Sequence, residues 1–249
     1  MNSIEGKTAW ITGGGGGIGE ASAKALAEAG AHVAISGRRE EELNRVTAEI
    51  RSAGGSAEAI ALDVADRDAM KAAADAIADR NGGLDIHMAN AGINVKNRST
   101  DGLTIEDWDR VVDVNLNGVM AGVLACLPHL RAAGGGTIIL TSSWAGRHAS
   151  KLTGPAYNAT KHAVVALAHS LNQEEAKNMI RTTALMPGEV ATPILQSRPV
   201  VPTAEEQARM LQSEDLGRTV RFICEQPPHV CFNEILISPT LNRLFTSIS

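Results

Sequence analysis

The chain has 249 residues, of which 44% are hydrophobic and 24 are glycine, as is ordinary for a globular protein. Its 23 lysines and arginines against 28 aspartates and glutamates give a net charge of -5. This charge argues against sequence-independent binding to nucleic acid or to an anionic membrane, so we expect a small-molecule partner. The length allows one large α/β domain or two small ones.

The three cysteines, Cys126, Cys224 and Cys231, have spacings that match neither a disulfide framework nor a zinc site. The first residues lack the basic and apolar regions of a signal peptide, and no uninterrupted apolar stretch of about 18 residues occurs. We therefore expect reduced cysteines that pack in the interior, no metal site, and a soluble cytoplasmic protein.

Short β-type runs alternate with helical patterns along the whole chain. The runs that predict strands are, in order, residues 8–12, 32–36, 57–64, 84–92, 136–143, 181–188 and 234–238. Between them, apolar residues recur at the three- and four-residue spacing of helices. Thr104 and Asp107 form a possible capping box at the start of a long helix over residues 104–132, and residues 155–176 predict another.

Strands that alternate with helices of ten or more residues pair in parallel, so the predicted fold class is α/β. We expect one Rossmann-type domain over residues 1–249, with a doubly wound parallel sheet of about seven strands between two helix layers. The stretch 189–203 holds three prolines and follows a predicted strand. It predicts a mobile substrate flap over residues 189–212.

The sequence TGGGGGIG, residues 12–19, joins the first predicted strand to the first helix. A helix N-terminus offers unpaired N–H groups, and glycines let a pyrophosphate approach them. A flexible linker is the alternative, but the position at the head of a βαβ unit favours a phosphate site. The spacing fits two patterns, GxGxxG at Gly14, Gly16 and Gly19, and TGxxxGxG at Gly13, Gly17 and Gly19.

The second predicted strand runs into Ser36 and Gly37, which Arg38 and Arg39 follow. In dinucleotide sites this position recognises the ribose: an acid binds a 2′-hydroxyl, whereas a basic group binds a 2′-phosphate. Because the strand end carries no carboxylate, the sequence favours NADP(H) over NAD(H). In the alternative interpretation both arginines are solvated and paired with the glutamates at 40–42.

Tyr157 is the only tyrosine, and Lys161 follows it by four residues. In a helix the two side chains share a face, with Cβ atoms about 6 Å apart. A tyrosine has a pKa of about 10, and a nearby ammonium favours the phenolate that could act as a base. The alternative is a packing tyrosine with a solvated lysine.

Six motifs resemble those of the short-chain dehydrogenase/reductase family in order and spacing. They are TGGGGGIG, NAG at 90–92, VNLNG at 114–118, SSWAG at 142–146, YNATK at 157–161 and PGEVATP at 187–193. The resemblance implies hydride transfer between a nicotinamide and a secondary alcohol or ketone. In that mechanism Tyr157 exchanges a proton with the substrate oxygen, and Ser143 binds this oxygen. Lys161 binds the nicotinamide ribose and lowers the pKa of Tyr157, and Asn115 anchors a proton-relaying water.

The resemblance selects the TGxxxGxG pattern and implies a set of cofactor contacts along one cleft. These are Gly13, Gly17, Ile18 and Gly19 at the glycine run, Asp63 and Val64 at the adenine, Asn90, Ala91 and Gly92 in the cleft, and Pro187, Gly188, Val190 and Thr192 at the nicotinamide, besides Tyr157 and Lys161. Relatives assemble through the helices 104–132 and 155–176, so we expect a homo-oligomer, either a dimer or a tetramer. The alternatives are a non-catalytic dinucleotide sensor or scaffold, and a sugar-nucleotide epimerase or dehydratase.

Only one of Ser142 and Ser143 can face the site, because neighbouring strand residues point to opposite faces. The motif S-x-A-G selects Ser143. This serine precedes the tyrosine by one residue more than is usual in the family, which indicates an insertion within residues 147–155. The charged residues of this loop either meet an anionic substrate group or are solvated; they are Arg147, His148 and Lys151.

Overall fold

The computed structural model describes residues 3–198 and 200–242, whose strands form one parallel sheet. Seven strands are present in these residues, in the order β3-β2-β1-β4-β5-β6-β7. They are β1 (Thr8–Thr12), β2 (His32–Gly37), β3 (Ser56–Ala61), β4 (Ile86–Ala89), β5 (Gly136–Thr141), β6 (Ile180–Pro187) and β7 (Glu234–Ile237). The prediction of a doubly wound α/β sheet of about seven strands is confirmed.

Helices cover both faces of this sheet. Their bounds are α1 (Gly17–Glu28), α2 (Glu40–Ser52), α3 (Arg67–Asn81), α4 (Ile105–Val112), α5 (Gly118–Ala132), α6 (Pro155–Glu175), α7 (Ala204–Ala208) and α8 (Ser213–Cys224). One apolar cluster joins α3, α5 and α6 to the sheet, and a second joins α1, α2 and α8 to it. All residues of β1 and β6 are buried, as expected for central strands between two helix layers.

Three strands end two or three residues before the ends of the apolar runs that predict them. β3 ends at Ala61, β4 at Ala89 and β5 at Thr141, each before the end of its predicted run. The residues that follow leave the sheet at its carboxyl edge, near the point where the strand order reverses between β1 and β4. Ligands bind at this edge in open parallel sheets, so the unpaired ends are available to form a site.

The long helix predicted over residues 104–132 is interrupted. A π-helical segment, Asp113–Asn117, separates α4 from α5. Thr104 caps α4 by accepting a hydrogen bond from the Asp107 N–H, which is one of the two reciprocal bonds of the expected capping box. The buried Asn115 side chain lies in the π segment and bonds to the backbone of Ile93, a long-range pairing that no local pattern shows.

Within the described residues, one helical stretch is long and apolar enough to cross a membrane, judged by length and composition alone. It is this same stretch, Ile105–Ala132. However, 56% of its most apolar part is buried inside the fold, as in helices that pack into a protein core. Cys126 and Cys224 are buried free thiols, and Cys231 is a partly buried one.

His87 of β4 is a fully buried histidine beneath α5. Its ring lies against that of Trp10, with centroids 5.0 Å apart, and Nδ1 is 3.3 Å from the Trp10 carbonyl oxygen. A Cβ on Gly122 of α5 would lie only 2.6 Å from His87 Nε2, so the helix passes close above the ring. Burial lowers the pKa of His87 to about 4, and the ring is therefore neutral at pH 7.

We expect the free energy of unfolding to decrease by about 3 kcal/mol on account of His87 as the pH falls from 6.5 towards 4. The folded-state pKa is below the unfolded one, so unfolding takes up a proton in this window. Above pH 6.5 the ring is neutral in both states, and this loss of stability is absent. Denaturant unfolding of the wild type and of His87→Leu, whose side chain does not titrate, measures the difference. An equal pH dependence of the two proteins would contradict the assignment.

Candidate active site

A cavity of about 590 Å³ lies at the carboxyl edge of the sheet. This volume is typical of small-molecule sites, and the position is where open parallel sheets bind their ligands. Of the residues that the sequence predicts for the site, all except Gly19 and Asn115 line the cavity. The structure therefore brings together residues that are more than 170 positions apart in the chain, such as Gly13 and Thr192.

The glycine run supplies one wall of the cavity and the start of α1. Gly13 and Gly17 have φ angles of 69° and 55°, which favour glycine. A Cβ on Gly13 would lie 2.9 Å from Ala91 Cα, and one on Gly17 would lie 3.1 Å from Thr192 Cγ2. A Cβ on Gly19 would lie 2.3 Å from the Gly13 oxygen. All three positions therefore require glycine, as the TGxxxGxG pattern specifies.

The competing GxGxxG pattern includes Gly14 and Gly16, which differ in their surroundings. A Cβ on Gly14 would lie 2.5 Å from Ile35 Cβ, so glycine is needed where the turn after β1 passes close to β2. A Cβ on Gly16 would meet only Arg39 Nη2, at 3.8 Å. The middle glycine of GxGxxG is thus not required by the fold, and the TGxxxGxG pattern describes the run better.

The end of β1 is tied to the end of β4 by Thr12 and Asn90. The Thr12 hydroxyl accepts hydrogen bonds from the backbone N–H groups of Asn90 and Ala91, both at 3.1 Å. The Asn90 amide donates to the carbonyl oxygens of Thr12 and Gly13 at 3.2 and 3.3 Å. These bonds fix the glycine run against the cleft, and they give Thr12 a role that the sequence did not assign.

Arg38 and Arg39 stand at the end of β2, on the same wall as the glycine run. Arg38 Nη1 lies 3.9 Å from Asp63 Oδ2, and both side chains are about half exposed, so the pair is weak. Arg39 forms no ion pair within the described residues, and Glu42 binds Arg45 instead. The alternative in which both arginines pair with the glutamates at 40–42 is not what the structure shows.

The two serines after β5 point in different directions. Ser142 is buried, and its hydroxyl donates to the carbonyl oxygen of Lys161 at 2.7 Å. The Ser143 hydroxyl accepts a hydrogen bond from the Ala145 N–H and lines the cavity with Tyr157, where it counteracts the rise in the pKa of the phenol. The structure therefore places Ser143 beside the tyrosine and gives Ser142 a packing role.

Helix α6 carries both Tyr157 and Lys161. The Lys161 ammonium lies 5.5 Å from the centre of the Tyr157 ring and donates to the carbonyl oxygen of Thr141, at the end of β5, at 2.8 Å. Only 3% of Lys161 is exposed, so the solvated lysine of the alternative interpretation is wrong. Burial lowers the pKa of Lys161 to about 8.

The pKa of Tyr157 is raised, because the phenol is buried. The hydrogen bond with Ser143 opposes this shift most strongly, followed by the positive charges of Arg98 and Arg198. The Lys161 ammonium lies over the ring and donates to the Thr141 carbonyl oxygen. Its expected effect of lowering the Tyr157 pKa stays a prediction.

Asn115 lies behind the cavity wall rather than in it. Its Oδ1 accepts from the Ile93 N–H at 2.8 Å, and its Nδ2 donates to the Ile93 oxygen at 2.9 Å. A Cβ on Gly92 would lie 3.5 Å from both Asn115 Oδ1 and Lys161 Nζ. Asn115 therefore holds the loop after β4 in place and lies next to Lys161 across the bare backbone of Gly92.

In one of the two interpretations, the charged residues of the loop 147–155 meet an anionic substrate group. The structure does not place all three of them at the site. Arg147 forms an ion pair with Glu234 of β7, and neither Arg147 nor Lys151 lines the cavity. Asn158 of α6 holds the loop by bonds to Ser150 and Thr153, and His148 does reach the cavity wall. Two of the three charges thus lie outside the site.

Two other arginines line the cavity, and neither was predicted from the sequence. Arg98 is 8% exposed, and its Nε donates to the Val95 oxygen at 2.8 Å. Arg198, in the predicted flap, binds Glu189 with Nη1 and Oε1 2.8 Å apart. Both lie far from Tyr157 in the chain, and only the fold brings these charges to the tyrosine.

Comparison with known proteins places these features in a family. The model of the short chain dehydrogenase family matches residues 7–200. An uncharacterized oxidoreductase of Staphylococcus epidermidis is 32% identical over 239 residues, which cover 96% of this chain and all of that protein. A glycine betaine reductase of Emericella nidulans is 34% identical over 95% of this chain, but the match spans only 19% of that protein.

Solved structures agree with this result. An alcohol dehydrogenase from the archaeon Thermococcus sibiricus, complexed with 5-hydroxy-NADP, has a TM-score of 0.84 and 28% identity, covering 94% of this chain and 97% of that one. A 3-ketoacyl-(acyl-carrier-protein) reductase from Brucella melitensis, complexed with NADH, has a TM-score of 0.84 and 32% identity, covering 95% and 98%. With the matched fold, glycine run and tyrosine helix, these findings show that the chain is an oxidoreductase of the short-chain dehydrogenase/reductase family.

Proposed function

We propose that the protein is an NADP(H)-dependent oxidoreductase that interconverts a secondary alcohol and a ketone in a small molecule. The observation that carries this proposal is the meeting of Tyr157, Ser143 and Lys161 in one cavity that the glycine run also lines. A short-chain alcohol dehydrogenase or carbonyl reductase needs this arrangement, because a proton donor must reach the substrate oxygen while the carbon that bears this oxygen exchanges the hydride with the cofactor. A non-catalytic sensor has no use for a buried lysine beside a tyrosine.

The residues that line the cavity fit a nicotinamide dinucleotide. The bare backbone of the glycine run at the start of α1 suits a pyrophosphate. Asp63 and Val64 line the cavity with Arg38 and suit the adenosine half, whereas Lys161 and the residues Pro187, Gly188, Val190 and Thr192 line it as well and suit the nicotinamide half. When bound there, the cofactor supplies the hydride chemistry.

The protein's own residues supply the proton and the orientation. The Tyr157 and Ser143 hydroxyls together bind the substrate oxygen. Because burial raises its pKa, Tyr157 keeps its proton at neutral pH and can donate it to a carbonyl oxygen during reduction. Lys161 binds the nicotinamide ribose, and Asn115 holds a water that carries protons to Lys161.

The flap and the assembly state are part of the same proposal. The described residues act as one domain, in which residues 189–212 form a substrate flap; the isolated bridge between Val190 and Leu211 ties its two ends together. The chain functions as a homo-oligomer, a dimer or tetramer, and the exposed Leu124 on α5 supports a contact through the long helices. The free cysteines support a cytoplasmic location.

We expect Tyr157→Phe to reduce turnover about 100-fold or more, because the variant lacks the only acidic proton placed at the substrate oxygen. Its affinity for NADPH should stay within about twofold of the wild type, since the ring and Lys161 remain. NADPH oxidation with a panel of ketones measures turnover, and fluorescence titration measures affinity. A variant with full activity would disprove the mechanism, and a wild type without activity on any ketone or alcohol would disprove the assignment.

The cofactor preference has its own test. We expect the wild type to bind NADPH at least about tenfold more tightly than NADH, and Arg39→Gln to remove most of that difference while leaving NADH affinity unchanged. The physical reason is that the Arg39 guanidinium has no carboxylate partner in the described residues and lies over the glycine run. Arg110→Gln, an exposed arginine outside the cavity, is the control. Equal affinities in the wild type would contradict the preference.

A further inference from the structure

The loop 147–155 supplies part of the cavity wall and carries an accessible apolar side chain there. Ser150, Leu152 and Thr153 all line the cavity, and Leu152 is 37% exposed. A ligand that fills the cavity can cover this leucine, which removes apolar surface from water and favours binding. One apolar contact for a substrate therefore depends on where this loop lies.

Asn158 of α6 holds the middle of this loop by three hydrogen bonds. Its Oδ1 accepts from the Ser150 N–H at 3.4 Å and from the Thr153 hydroxyl at 2.6 Å, and its Nδ2 donates to the Ser150 oxygen at 3.0 Å. An amide side chain has both an acceptor and a donor, so it satisfies the backbone N–H and C=O of the same residue. Ser150 and Thr153 flank Leu152 in the chain, and the three bonds therefore fix the segment that carries this leucine.

The loop after β4 holds the same segment independently. Asn94 Nδ2 donates to the Thr153 oxygen at 2.9 Å, and Arg98 Nη1 donates to the Leu152 oxygen at 3.4 Å. A Cβ on Gly154, whose φ is 77°, would lie 2.2 Å from the Arg98 oxygen, so only glycine fits at the end of the segment. This part of the loop is thus anchored to two separate elements before any substrate binds.

Asn158 follows Tyr157 in the chain, but the two residues stand differently to the cavity. Tyr157 is among the described residues that line it, and Asn158 is not. The Asn158 side chain therefore acts on a bound substrate only through the groups that it holds. Those groups are the loop segment and, through the helix backbone, the tyrosine.

We propose that Asn158 is a positioning residue that fixes Leu152 as a contact for an apolar substituent of the substrate, so that the protein prefers ketones with a sizeable apolar substituent to small ones. This inference rests on the proposed function and names the substrate class of the same site. The carbonyl group lies against Tyr157 and Ser143, and the loop acts only on the substituent. Each methylene group that is fully buried strengthens binding about fourfold, so the preference should grow along a series of ketones.

A purely structural role for Asn158 in α6 is the competing explanation. Because Asn158 is the neighbour of Tyr157, its loss would in that case misplace the proton donor. A misplaced tyrosine lowers kcat for all ketones alike. A displaced Leu152 instead weakens the reaction only for ketones whose substituent reaches it, so a series of ketones of increasing length separates the two explanations.

The test measures the reduction of acetone, 2-butanone, 2-pentanone and 2-hexanone with NADPH. For the wild type, kcat/KM should be about tenfold or more higher for 2-hexanone than for acetone. Asn158→Ala and Leu152→Ala should each reduce this ratio about fivefold or more, through a higher KM for 2-hexanone and with kcat changed less than about twofold. The double variant should lose no more than either single variant, because both substitutions remove the same contact. Asn158→Asp, which keeps the two acceptor bonds, should retain part of the preference, and Gln173→Ala, an exposed position of α6 outside the cavity lining, should change nothing.

Hydrogen exchange of the backbone amides at 150–154, followed by mass spectrometry on the full chain with NADP⁺, reports the position of the loop without turnover. Asn158→Ala should speed this exchange about tenfold or more, whereas Leu152→Ala should leave it unchanged. Exchange in Asn158→Ala that equals that of the wild type would overturn the positioning role.

The kinetic outcomes are distinct from failure of the proposed function. A wild type that reduces all four ketones equally well, a kcat that falls equally for all of them in Asn158→Ala, or losses that multiply in the double variant would overturn the role of the loop and leave the proposed reductase intact. A wild type inactive on every ketone disproves the proposed function and the ketone preference with it, and the positioning role then stands or falls by the exchange result.

Discussion

The site depends on the burial of one ammonium group at the end of β5. Lys161 Nζ donates to the Thr141 oxygen, while the Lys161 carbonyl accepts from the Ser142 hydroxyl. These two bonds join α6 to the strand end from which Ser143 projects. The approach is so close that a Cβ on Gly146 would lie 2.7 Å from the Lys161 oxygen. The relative positions of the tyrosine and of Ser143 therefore follow from how the lysine is held.

The pKa of Tyr157 depends on several groups besides the lysine that follows it by four residues in the chain. Burial raises the pKa of the phenol, and Ser143, Arg98 and Arg198 oppose that shift. Lys161, whose own pKa falls to about 8, is directed at a backbone carbonyl and at the bare backbone of Gly92. The lysine therefore ties α6 to the end of β5, and the two arginines bring positive charge to the phenol from distant parts of the chain.

The sequence predicted the parts of the structure that local patterns determine. The alternation of strands and helices gave the sheet, and the rarity of tyrosine directed attention to α6. The π segment at Asp113–Asn117 escaped prediction because the Asn115 amide that accompanies it binds Ile93, a partner more than twenty residues away. Arg98 and Arg198 escaped for the same reason, since single arginines in loops carry no local pattern. Arg147 lies in the loop whose charges were considered for an anionic substrate group. It pairs instead with Glu234 of β7, a contact that no local pattern shows.

The unfolding free energy of Lys161→Met, compared with that of the wild type from pH 8 to pH 10.5, tests the central claim most directly. Methionine preserves the length of the side chain without a charge. Because the folded-state pKa of Lys161 is below its unfolded value, the account predicts that the wild type gains about 3 kcal/mol relative to the variant across this window. It also predicts that the variant is at least as stable as the wild type below pH 8, although it loses NADPH affinity and turnover. A difference that is independent of pH, with cofactor affinity retained, would contradict the account.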